Sequence, residues 1–212
     1  MAIACDIRSE EQIDKAVEET VRRFGGIDIL INNASAISLT PTLATSLKRF
    51  DLMHQINIRG TFAVCKAALP HLLKSSNPHI LMLSPPLLMD AKWFGPHVAY
   101  TISKYGMSMC VLGLAEEFKD QGVAVNALWP KTVIATAALQ AITEESSELA
   151  AKGRTTDIMA DAAFVILTQP SRSFTGNFTI DEQILKSQGV ADLSKFAATP
   201  GNTDLVPGNM DA

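Results

Sequence analysis

A tyrosine and a lysine stand four residues apart in YTISK, residues 100–104. On an α-helix, positions i and i+4 share a face, so the Tyr100 phenol and the Lys104 ammonium can enter one space. A free phenol titrates at about pH 10 and is a poor base at neutrality, and a neighbouring ammonium favours its phenolate. The pair is therefore either surface decoration or the core of a proton-exchanging site.

Such a pair needs a helix to carry it and strand ends to bring other groups to it. The apolar runs AIACDI (2–7), IDILI (27–31), HILMLS (79–84), VAVNALW (123–129) and NFTI (177–180) read as short strands. The branched runs among them suit a parallel sheet covered on both faces. Helical patterns fill the gaps. Ser9 opens an S-x-x-Q capping box with Gln12, a stripe of Ile13, Val17, Val21 and Phe24 follows, and Gly25 with Gly26 stops it. A helical region runs from about 47 to 74 with a break near Asn57 to Gly60, and another covers 98–121. Thr156 is placed to cap a helix over DIMADAAFVIL, which ends before Pro170.

This alternation predicts an α/β fold, a doubly wound parallel sheet of Rossmann-like type. Periodicity fades after residue 183, where Gly, Pro, Asn and Asp collect. The expected organisation is a domain over 1–183 and an extended tail over 184–212. Ligands in such folds bind beyond the carboxyl ends of the strands. Those ends carry Asp6, Asn32 with Asn33, Ser84, and Pro130 with Lys131 and Thr132. Each alone is an ordinary turn residue; four strand ends together point to a site.

The 212 residues are 47% hydrophobic and 19% charged, enough to build a core, and a formal charge of −4 offers no basic stripe for nucleic acid. No apolar run has the length of a membrane span. Cys5, Cys65 and Cys110 show no metal-ligand spacing and read as buried free thiols, and the four histidines are likewise unclustered. Metal is not expected. The absence of a leader or a peroxisomal tripeptide favours the cytoplasm, and mitochondrion or peroxisome are alternatives implied by a family resemblance alone.

The ordered set NNA at 32–34, Asn57 in INIRG, Ser84 ending a strand, Tyr100 and Lys104 in Y-x-x-x-K, and NALWP at 126–130 resembles the short-chain dehydrogenase/reductase family over most of the chain. A narrower set, INNASAISLTPT, ILMLSPP, AYTISKYGMSM, AVNALWPKT and SFTGNFTIDE, is similar to one branch of it. The resemblance implies hydride transfer between NAD or NADP, with NADP favoured, and a carbonyl or secondary alcohol. It implies catalytic roles for Tyr100, Lys104, Asn57 and Ser84. Lys104 would also bind the nicotinamide ribose, and Asn57 would hold the broken helix and a proton-carrying water. Cofactor contacts would come from Asp6 near the adenine, from Asn33, Ala34, Tyr100 and Pro130, from the Val133 backbone, and from Thr132 or Thr136.

The chain departs from the family in two places. Many members place a catalytic serine thirteen residues before the tyrosine, where this chain has Leu87, so Ser84 must reach in from a reshaped loop or the donor is missing. The family also opens with two further strand-helix units and a T-G-x-x-x-G-x-G turn that cradles pyrophosphate, and neither occurs here. With the family strand order, IDILI then becomes an open edge, and poor solubility or weak cofactor binding is expected.

Leu87, Leu88, Met89, Trp93 and Phe94 in the loop before Tyr100 suggest an apolar, steroid- or acyl-like substrate, or else a loop packed on its own core. A homodimer or homotetramer through helices 47–74 and 98–121 is the implied assembly. A non-catalytic binding or dimerisation module using the same helices is the rival reading.

Overall fold

The computed structural model describes residues 1–140 and 146–208. Four strands, β1 (Ile29–Asn32), β2 (His79–Met82), β3 (Ala124–Trp129) and β4 (Phe178–Ile180), lie in the order β1-β2-β3-β4, each pair parallel. The α/β doubly wound expectation is met, with helices on both faces.

Strand periodicity explains the two layers. Ile80, Met82, Val125 and Ala127 point into one core with Cys65, Leu69 and Leu72 of α3 (Thr61–Leu72) and Val111 and Leu114 of α5 (Val98–Glu117). Leu81 and Leu128 point the other way, onto Ile158, Ala162 and Ile166 of α8 (Asp157–Leu167). Every residue of β2 and β3 is buried.

The edge strand differs. Ile29 and Ile31 of β1 are 45% and 48% exposed, which is the open edge expected of IDILI. AIACDI, expected as a strand, forms none: residues 2–6 find no ladder partner among the described residues. An apolar cleft of about 240 Å³ separates Cys5 and Ile7 from Ile29 and Leu30, floored by α1 (Glu10–Phe24) and α3.

Local signals at α1 are realised in altered form. The Ser9 hydroxyl accepts from Gln12 N–H, but the Gln12 side chain accepts from Asp6 N–H (2.8 Å) rather than from Ser9 N–H. Gly25 closes the helix in the left-handed region at φ 88°. The predicted break in helix 47–74 is a π-helical turn, Gln55–Gly60, between α2 (Leu47–His54) and α3. Thr156 precedes α8, but its side chain makes no capping bond.

The segment expected as an extended tail is packed instead. After β4 come α9 (Asp181–Ser187) and a 3₁₀ turn, Ser194–Phe196, and Leu185, Leu193 and Phe196 are buried against α8. Short helices α4 (Ala91–Phe94), α6 (Ala137–Gln140) and α7 (Ser146–Ala151) complete the set. No helix among the described residues is long and apolar enough to cross a membrane. Of the cysteines only Cys65 is buried; Cys5 and Cys110 are half-buried, contrary to expectation.

Candidate active site

Helix α5 carries Tyr100 and Lys104 one turn apart, both buried, at 7% and 3% exposure. They do not share partners. Tyr100 packs with Met53, Ala36, Ile37, Leu39 and Phe50, and lines a cavity of about 140 Å³ with Lys92, Trp93, Pro96, His97, Thr101 and Gly208. Lys104 Nζ donates to Leu83 O at 2.5 Å and to Met107 Sδ at 3.3 Å, and lies 5.3 Å from the Trp129 ring centroid.

Burial dominates both titrations. It raises the Tyr100 phenol, against the lowering expected of the pair. Burial pushes Lys104 down to about 7. A low-dielectric site penalises the charged form of each group, and the phenolate and the ammonium are those forms.

Asn57, in the π-helical turn and fully buried, ties three segments together. Its Oδ1 accepts from Ala36 N–H (2.7 Å) and Ser35 Oγ (3.0 Å), while its Nδ2 donates to Ala36 O and Ser103 Oγ (both 2.9 Å). Ser103 in turn donates to Tyr100 O at 2.8 Å. The turn after β1 is thereby pinned to the helix of the tyrosine. Ser103 lies inside YTISK as a neutral residue between the ionisable pair, and only its place opposite Asn57 gives it a role.

The strand ends converge as the fold requires. Ser84 is fully buried, and its hydroxyl has no partner in this structure. The loop that follows it is tied down along α5: Ser108 Oγ donates to Pro85 O (2.6 Å), Tyr105 Oη to Leu88 O (2.5 Å), and Thr101 Oγ1 to Trp93 O (3.0 Å). Asn32 is buried and donates to Cys65 Sγ at 3.3 Å, whereas Asn33 and Ala34 are exposed.

Beyond β3, Pro130, Lys131, Val133 and Thr136 are half-buried and Thr132 is buried, its hydroxyl also without a partner. Val133 N–H donates to Val206 O (3.0 Å) and its carbonyl accepts from Arg154 N–H (2.9 Å). Asp181 Oδ1 accepts from Lys131 N–H at 2.9 Å, fixing this loop to the end of β4. Asp181 is itself a strand-end residue, so the rule that selected Ser84 selects it too. Asp6 stays in its own turn, held by Arg8, whose side-chain hydrogen bond keeps the carboxyl down at about 2.

A family model described as enoyl-(acyl carrier protein) reductase matches residues 1–181. Hydroxysteroid dehydrogenase-like protein 2 of Danio rerio is 58% identical over 203 residues, covering 95% of this chain and 48% of the relative. The Homo sapiens protein of that name is 55% identical with the same coverage. The chain spans about half the length of these curated relatives. A putative dehydrogenase from Xanthomonas campestris superposes with a TM-score of 0.91 at 51% identity, over 98% of this chain and 75% of that one. A short chain dehydrogenase from Mycobacterium thermoresistibile gives 0.90 at 44%, over 99% and 74%. The sequence motifs, the parallel sheet and these likenesses agree: the chain belongs to the short-chain dehydrogenase/reductase family of oxidoreductases.

Proposed function

We propose that the protein carries the catalytic half of an NAD(P)(H)-dependent oxidoreductase, with NADP ahead of NAD, acting on a carbonyl or secondary alcohol of an apolar, steroid- or acyl-like molecule. One observation carries the reading. Two buried hydroxyls at the strand ends, Ser84 Oγ and Thr132 Oγ1, have no protein partner, and an unpaired buried polar group calls for an outside partner such as water or a ligand. A polar ligand seated beyond β2 and β3 fits them. A bound nicotinamide would supply the hydride there, held by Tyr100, Lys104, Pro130, Val133, Thr132, Asn33 and Ala34. The adenine contact once expected of Asp6 is weakened by its pairing with Arg8.

The chain's own groups handle the proton. Tyr100 Oη exchanges it with the substrate oxygen, Ser84 Oγ donates to that oxygen as charge develops, and Asn57 holds the turn and the helix in register. Lys104 must turn from Leu83 O toward the phenol to lower its pKa.

A homodimer or homotetramer through helices 47–74 and 98–121 is the proposed partnership. It is supported by a groove of about 550 Å³ lined by Ile58, Phe62, Ile102, Met109 and Leu114 among others. The competing reading, a dimerisation module without chemistry, uses the same groove. Tyr100→Phe separates them. With saturating nucleotide and a panel of apolar ketones, turnover should fall by about 10²–10⁴ while circular dichroism and self-association stay unchanged. Turnover that survives the substitution rejects the redox reading.

A further inference from the structure

Residues 204–208 lie as a strap across the loop that follows β3. Val206 O accepts from Val133 N–H (3.0 Å), Gly208 N–H donates to Lys131 O (2.9 Å), and Thr132 and Pro207 form an antiparallel bridge. On its other side, Val206 N–H donates to Lys152 O (2.8 Å) and Asp204 pairs with Lys152 at 2.8 Å. Gly208 then forms part of the wall of the Tyr100 cavity. It runs close to the loop: a Cβ there would sit 3.1 Å from Pro130 O.

Two facts set this strap against the proposed chemistry. The cavity it helps to enclose holds about 140 Å³, whereas pockets for drug-sized ligands are about 300–1,000 Å³. The Val133 N–H, which the redox reading gives to the nicotinamide amide, is already taken by Val206 O. We infer that Asp204–Gly208 is an autoinhibitory gate: seated, it occupies Val133 and walls off Tyr100; displaced, it frees both. What it admits rests on the redox reading above; that it closes the cavity does not.

Its tethers suit a gate. No residue from 198 to 208 is buried, so release exposes little apolar surface. The Lys152–Asp204 pair is 49% and 78% exposed, and such pairs add little stability. Just before the strap, Asn202 N–H donates to Thr199 O (3.1 Å) in a turn with Gly201 at φ 81°, a conformation glycine adopts without strain.

The full chain carrying Asp204→Lys and Val206→Pro tests the gate, since these remove the ion pair and the Val206 donor. Two readouts are needed: hydrogen exchange of the Val133 amide, and modification of His97 by diethyl pyrocarbonate mapped by mass spectrometry. His97 lines the cavity, and burial lowers its pKa and so keeps the imidazole in the reactive neutral form. His71, on α3, is the control. Faster exchange at Val133 with an increase of about fivefold or more in His97 modification, at constant His71 reactivity, is the expected result. Release at Val133 without faster His97 modification overturns the proposal. So does a Val133 amide that exchanges freely in the parent, or one that stays protected in the variant, because a strap never seated or never freed is no gate. Nucleotide and turnover play no part, so the gate and the redox reading can fail separately.

Discussion

Lys104 is the residue where burial and chemistry conflict most. In the unfolded chain its amine keeps a proton to about pH 10.5, and in the folded protein only to about 7. Between those values the unfolded state binds more protons, so stability rises with pH; below about 7 the cost of burial is present in full. Lys104→Met should therefore unfold at higher urea than the parent at about pH 7, with the gap narrowing toward about pH 9.5. A gap that does not shrink would mean that the amine is not desolvated. Ser84 sets a second test at this scale. Ser84→Ala removes a hydroxyl that bonds nothing in the fold, so stability should hold while turnover drops by about 10²–10³. The spacing of Tyr100 and Lys104 was legible as one helical face, but their partners were not. Which way a long side chain turns depends on Leu83, Met107 and Trp129, which lie on other turns or other strands.

At the scale of elements, the π-helical turn is the joint of the site, because it aims Asn57 at both Ala36 and Ser103. Asn57→Ala leaves those groups unpaired in the interior and should cost on the order of 3 kcal/mol, read from urea unfolding. A loss below about 0.5 kcal/mol would show that the network is dispensable. Strands β2 and β3 and helix α8 were readable from apolar runs or stripes that the fold buries, and β1, β4, α5 and α1 were readable as well, although α1 buries only Ile13 of its stripe and leaves Phe24 63% exposed. AIACDI reads equally well as a strand, yet a strand is a property of a pair, and here it has no neighbour. The tail failed for the opposite reason. Leu185, Leu193 and Phe196 are too few and too irregularly spaced to show a period, but each finds a place beside α8.

For the whole molecule, apolar side chains among the described residues face outward at the edge of β1 and in the groove along α5, as they do at Leu43, Leu47 and Phe164. Edge strands with exposed apolar side chains invite pairing with other chains. Ile29→Lys with Ile31→Lys should lower light scattering and raise the soluble fraction without shifting the urea midpoint. Met109→Glu, in the groove and 58% exposed, should instead shift sedimentation toward monomer if α5 forms the proposed interface. No change in either variant would leave both faces simply solvated and sink the assembly proposal. The π-helical turn also limits how the molecule can change. A π turn holds one residue more than an α turn, so deleting one residue of 55–60 would restore regular winding with the downstream phase nearly kept, and Cys65, Leu69 and Leu72 would still face the sheet. What such a deletion removes is the bulge that aims Asn57 at Ala36 and Ser103. The extra residue thus belongs to the joint and not to the layer: its loss would spare the packing of α3 and unfasten the turn after β1 from α5.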